Sequence, residues 1–273
     1  MNGMLRFILE KLRPHADRRT GLVAFATSNR GLVRRDNQDS FVCDAQHAFL
    51  CVADGMGGGA EGATASRWAC EDISAACLAA GDDVAAREEA VGDALKEVNS
   101  RIRSYAKEHG YKSMGTTVVG FIANPGDAML ARVFHAGDSR IYRLRYGRLD
   151  LLTRDHTVGN ELGSAMAAGG DSQAQALKAR SNPLSHILTR AVGTEMIVRP
   201  EWKTVDVQRG DRFLLCSDGV HDMLDDAEIA ALLASAATPR VAVARIEAAV
   251  LKAGANDNYT ILCAYVVAQR SSR

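Results

Sequence analysis

The sequence predicts an α+β fold, an antiparallel β-sandwich carrying helices on its outer faces. Three observations lead there. Strand-like runs rich in Val, Ile, Leu and Phe recur along the chain, punctuated by Gly, Asp and Asn. Two long helical stretches follow one another directly, each with an apolar face to bury. The regular alternation of strand and helix that marks a parallel doubly wound sheet is absent.

Taken in order, residues 1–20 read as a short N-terminal tail. The apolar stretch from Met4 to Leu9 is interrupted by Arg6 and no small-residue cleavage site follows, so it is not a secretion signal. Residues 21–270 read as a single domain. Its first strands are expected at 22–28, 40–43 and 48–53. A helix over 61–80 is Ala-rich and stops at Gly81. A second, over 84–109, places Val91, Leu95, Val98, Ile102 and Tyr105 three and four apart, and Gly110 follows. Strands are expected again at 116–123, 128–135 and 140–145. Between His156 and Pro183 the pattern breaks down into glycines and polar residues, which reads as a loop or lid with at most one short helix. Strands at 197–207 and 211–216 follow. A helix opens with Thr238 as N-cap and Pro239 at its first position and runs to Gly254. The last strand is 259–267.

The 273 residues, 47% of them hydrophobic, suffice for a sizeable core. The 33 basic and 33 acidic side chains cancel, which argues against nucleic acid or an anionic membrane surface as partner. Any positive charge that meets a phosphate must therefore be local. No apolar run reaches 18 residues, so no membrane span is expected. The cysteines (Cys43, Cys51, Cys70, Cys77, Cys216 and Cys263) form no CxxC pair and no zinc spacing with histidine. They read as reduced core thiols of a cytosolic protein.

The chemistry is carried by where the acids fall. The apolar run 48–53 is closed by Asp54-Gly55 and a glycine-rich turn; the run 211–216 leads to Asp218-Gly219. In each, a buried strand fixes the acid and the glycine lets the backbone turn and a ligand approach. Asp257 stands just before the last strand. If that strand runs antiparallel to the one ending at Asp218, the two acids share a sheet edge. Asp138 sits between two strands, as in a hairpin turn, and Asp39 lies at the mouth of an early strand. Carboxylates gathered at one edge repel unless cations neutralise them, and an oxygen-only set suits magnesium or manganese.

Taken together, the segments RRDNQD, VADGMGG, MGTT, GDSR, LTRDHT, LTRAVG, SDGV and DNYT, spread from Arg34 to Thr260, resemble the type 2C (PPM) metal-dependent protein serine/threonine phosphatases of bacterial type. The resemblance implies a four-layer α-β-β-α sandwich with a metal centre at one end and a flap at about 157–186. It implies two Mn2+ or Mg2+ ions, with Asp54 bridging them and the Gly55 carbonyl, Asp218 and Asp257 as further ligands. Asp39 would hold metal-bound water, and Asp138 with Asp218 a weaker third ion. Arg34 would clamp the substrate phosphate while hydroxide between the metals attacks in line.

Two positions depart from the family pattern. Gln38 stands where Glu is frequent, removing a negative charge. Met56 stands where many eukaryotic members have a histidine proposed as general acid, which leaves the proton donor open. His156 is the nearest candidate by sequence, but it is expected to be structural, with Asp155 bonding the local backbone. Cys216, Ser66, Ser139 and Ser217 are read as structural too. The expected partners are phosphorylated proteins, with a serine/threonine kinase as the opposing enzyme of a cytoplasmic, monomeric, stand-alone catalytic domain. Two rivals are a non-enzymatic regulatory or scaffolding relative that binds a phosphoprotein or partner, and a phosphatase acting on a small phosphate ester or a dedicated regulatory phosphoprotein.

Overall fold

The structure, a computed structural model, describes residues 20–124, 127–167 and 187–268. Almost all of the expected N-terminal tail and the flap from 168 to 186 lie outside the described residues.

The strands are β1 (Thr20–Asn29), β2 (Asp39–Asp44), β3 (Phe49–Met56), β4 (Gly115–Thr116), β5 (Val118–Asn124), β6 (Asp127–Ala136), β7 (Arg140–Arg145), β8 (Arg148–Leu151), β9 (Glu201–Asp206), β10 (Arg212–Cys216) and β11 (Tyr259–Ala268). They form two antiparallel sheets, β1-β11-β10-β7-β8 and β2-β3-β5-β6-β9, with β4 paired to β3. The helices are α1 (Ala60–Ala79), α2 (Val84–His109), α3 (Val158–Ala167), α4 (Asp218–His221), α5 (Asp226–Ser235) and α6 (Pro239–Ala253).

Both sheets are covered on both faces, which is why their central strands read as unbroken apolar runs. Along β3, Phe49, Cys51 and Ala53 meet α1 and α2, while Leu50 and Val52 meet the other sheet. Along β10, Leu214 and Cys216 meet α5 and α6, and Phe213 and Leu215 face inward. The layers are thus helix, sheet, sheet, helix, as expected. All six cysteines are free and five of them are buried. No described helix is long and apolar enough to cross a membrane.

Several expected elements differ. The strand expected over 116–123 breaks at Thr117, whose amide bonds the Asp54 carbonyl (2.8 Å). The strand expected over 197–207 begins only at Glu201, because Pro200 has no N–H to pair. β8 was not expected; it closes a hairpin with β7 through Tyr146 and Gly147, both at positive φ. Nor was α5 delimited, although Asp225 and Glu228 form a capping box. Asp138 is not in a hairpin: β6 and β7 belong to different sheets, and the turn carries the chain from one to the other.

Candidate active site

The acids come from both sheets and meet at one end of the sandwich. Asp39 and Asp54 are direct cross-strand partners on β2 and β3. Asp218 opens α4 immediately after β10, and Asp257 precedes β11, which pairs antiparallel with β10. Asp138 enters from the β6–β7 crossover.

Asp39 bridges the sheets. One of its oxygens accepts hydrogen bonds from Ser217 Oγ (2.7 Å), just past the end of β10, and from Thr260 Oγ1 (2.7 Å), on β11 of the opposite sheet. Its other oxygen and Asp218 Oδ1 are buried with no hydrogen-bond partner. Burial drives the Asp39 carboxyl up to about 7 against the pull of the two hydroxyls. Asp138 is likewise raised to about 7, by burial and then by the Asp218 charge. Asp54 is pushed well up by burial and by the charges of Asp39, Asp218 and Asp138; Asp218 is raised chiefly by burial. Such a set of crowded, desolvated and partly orphaned oxygens fits a hard divalent cation, which would supply the missing charge and the missing partners.

Asp257 lies nearer the surface. Its Oδ1 accepts the Asn258 amide (2.8 Å) and its Oδ2 takes Arg34 Nη2 at 2.6 Å, with the arginine side chain 56% exposed. Arg35, its neighbour, is exposed as well. The structure therefore puts Arg34, Asp39, Asp54, Asp138, Asp218 and Asp257 at the same end of the sandwich.

Gly55 is needed for lack of space. A Cβ there would meet Gln38 O at 2.6 Å and collide with the Gly62 carbonyl on α1. Gln38 itself has a role that its sequence position did not reveal. In the orientation that satisfies its amide, it donates to the Gly55 carbonyl (2.7 Å) and accepts from the Gly59 N–H (2.9 Å). An ionised glutamate could not donate to that carbonyl. Gly55→Ala is expected to lower stability by about 2–3 kcal/mol through backbone overpacking, read as a fall in denaturant midpoint at unchanged slope.

Sequence reasoning missed the supports. Asn258 Nδ2 holds the Arg30 and Asp36 carbonyls (2.9 Å each), and its Oδ1 accepts the Gln38 amide (2.9 Å). His221 Nε2 donates to the Asp138 carbonyl (3.1 Å), and its Nδ1 lies 3.4 Å from Asp222. Asp222, one turn after Asp218, adds to the crowding of charge there. The spacing SDGVHD offered a signal, an acid four residues on along the same helical face.

Asp155 corrects an expectation. Its carboxylate accepts instead from Arg140 Nε and Nη2, along one edge of the guanidinium, at 2.6–3.2 Å. His156 is held within a network of contacts. Its ring stacks on His135 at 4.4 Å, Nδ1 accepts the Gly137 amide (3.2 Å), and Nε2 faces Glu201 (3.4 Å) and Arg190 (3.3 Å). The trio His135, His156 and Glu201 is close enough for a metal. Parallel rings cannot aim both lone pairs at one ion, however, and Arg190 already supplies the positive charge.

A family model described as Protein phosphatase 2C matches residues 27–252. The chain is 34% identical over 250 residues to the serine/threonine protein phosphatase PstP of Mycobacterium tuberculosis, covering 89% of this chain but 44% of that protein. It is 33% identical over 247 residues to the serine/threonine phosphatase stp of Listeria innocua, covering 86% and 92%. A solved structure of the catalytic domain of PstP in complex with two manganese ions superposes with a TM-score of 0.71 at 32% identity, over 91% of this chain and 99% of that one.

Proposed function

Because the chain belongs to the protein phosphatase 2C (PPM) family, we propose that it is a bacterial-type, metal-dependent protein phosphatase hydrolysing phosphoserine and phosphothreonine. One observation carries this reading: five aspartates from two sheets converge where two of their buried oxygens lack partners. Asp54, Asp218, Asp257 and the Gly55 carbonyl would hold two manganese or magnesium ions. Asp39 would act from the outer shell, and Asp138 with Asp218 would hold a third. When bound, the ions supply the charge that activates water and polarises the phosphoryl group.

The chain's own residues then have distinct tasks. Asp39 is fixed by Ser217 and Thr260, so its free oxygen has one direction to face. Arg34 stands at the rim, paired to Asp257 until a phosphate offers a better match for its planar fork. His156, with both nitrogens engaged, is not offered to the leaving oxygen. Residues 21–270 act as one monomeric catalytic unit in the cytoplasm, and the substrates are phosphoproteins written by an opposing serine/threonine kinase.

Hydrolysis of a phosphothreonine peptide with manganese, and its absence with chelator, is the test. Folded protein without activity in manganese would reverse the reading in favour of a binding module. Arg34→Ala is expected to raise KM for the peptide about tenfold or more, since it removes a charge-assisted bidentate contact. An unchanged KM would remove Arg34 from the phosphate site.

A further inference from the structure

Residues 30–35 present two adjacent apolar side chains to solvent beside the candidate phosphate clamp. Leu32 is 66% exposed and Val33 65%. Single exposed aliphatics need no explanation, but a neighbouring pair in a fixed loop at an active-site rim does. The loop is fixed from three sides. The Leu32 amide donates to the Ala255 carbonyl (2.9 Å). Asn258 grips the carbonyls of Arg30 and Asp36 on either side of it. Gly31, at φ 73°, packs so tightly on the Asp257 carbonyl that a Cβ would collide with it. The segment carrying Asp257 and the loop carrying Leu32 and Val33 therefore form one body.

We propose that Leu32 and Val33 are specificity-determining residues, an apolar platform that receives the side chains flanking the phosphoresidue of a protein substrate. The inference rests on the phosphatase reading above. Arg34 is next in sequence, so a phosphate held by it would bring the residues flanking the phosphoresidue close to Leu32 and Val33. The platform is held before substrate arrives, so docking an apolar side chain removes water without ordering the loop. A polar side chain gains nothing there.

Two phosphothreonine peptides test this, one with leucine and one with serine on both sides of the phosphothreonine, assayed in manganese. The wild-type protein is expected to favour the leucine peptide about tenfold in kcat/KM. In Leu32→Ser/Val33→Thr the ratio should fall close to one. Val33→Thr alone, a change of similar shape at an exposed position, should lower it part-way and covers the case in which the double variant fails to fold. A wild-type ratio near one, or a ratio that survives the substitutions, overturns the platform. Para-nitrophenyl phosphate separates the two readings. If the wild type hydrolyses it and the peptide ratio is one, the platform alone is wrong. If neither ester nor peptide is hydrolysed, both readings fall.

Discussion

Asp54→Asn is expected to lower turnover at least about a thousandfold and, in the metal-free protein at pH 8, to raise the melting temperature by a few degrees. The two effects share one cause. Burial first, and then the charges of Asp39, Asp218 and Asp138, push the Asp54 carboxyl upward. Without cations that crowding is repulsive, and an amide of the same shape relieves it. In the metal centre proposed above the same crowding would bind the cations, and the amide would weaken that binding. Calorimetric titration with manganese should show lost or much weaker binding, and circular dichroism an unchanged spectrum. A variant that lost activity and also melted lower without metal would mean that Asp54 holds the fold together and not the ions.

The second large effect is the pH dependence of metal-free stability. Asp39 and Asp138 stand near 7 in the folded state, against an ordinary 3.8. Between about pH 4 and 7 the folded chain therefore keeps protons that the unfolded chain releases. The stability so contributed is fully present at the low end and is lost as pH rises through 7. His156 acts in the opposite sense. Burial, His135 and Arg190 depress it to about 4, so its contribution is lost as pH falls from 6.5 towards 4. His135, lowered by burial, acts the same way. Four raised carboxyls outweigh two lowered imidazoles. The chelated protein should melt higher at pH 5.5 than at pH 8, and saturating manganese should flatten or invert that slope, because cations need the ionised acids. A melting temperature that rises with pH in chelator would contradict the crowded-acid account.

What the sequence made legible was whatever interrupts a local pattern. Asp54 and Asp218 stand out because each follows a buried apolar run and precedes glycine. The helix Val84–His109 matched its expected limits because both ends are marked, by Asp83 as N-cap and by Gly110 in the left-handed conformation. What stayed hidden depends on partners distant in the chain. Ser217 and Thr260 lie 178 and 221 positions from Asp39, and nothing local marks them as its donors. Gln38 read as a missing charge until its amide was seen against the Gly55 carbonyl. The turn at Asp138 read as a hairpin because two adjacent strands look the same whether they pair or part. Only the sheet order separates those cases.

The two sheets each contribute acids to one centre: Asp39 and Asp54 from one, Asp218 and Asp257 from the other. The sandwich then behaves as a calliper whose jaws are the sheet ends and whose opening is set by Leu50, Val52, Phe213, Leu215 and Leu262, the side chains between them. Magnesium and manganese differ in how strictly they demand short, regular coordination. In the metal centre proposed above, preference between the two ions would then be written partly in hydrocarbon, along the inter-sheet core, by residues outside the coordination shell.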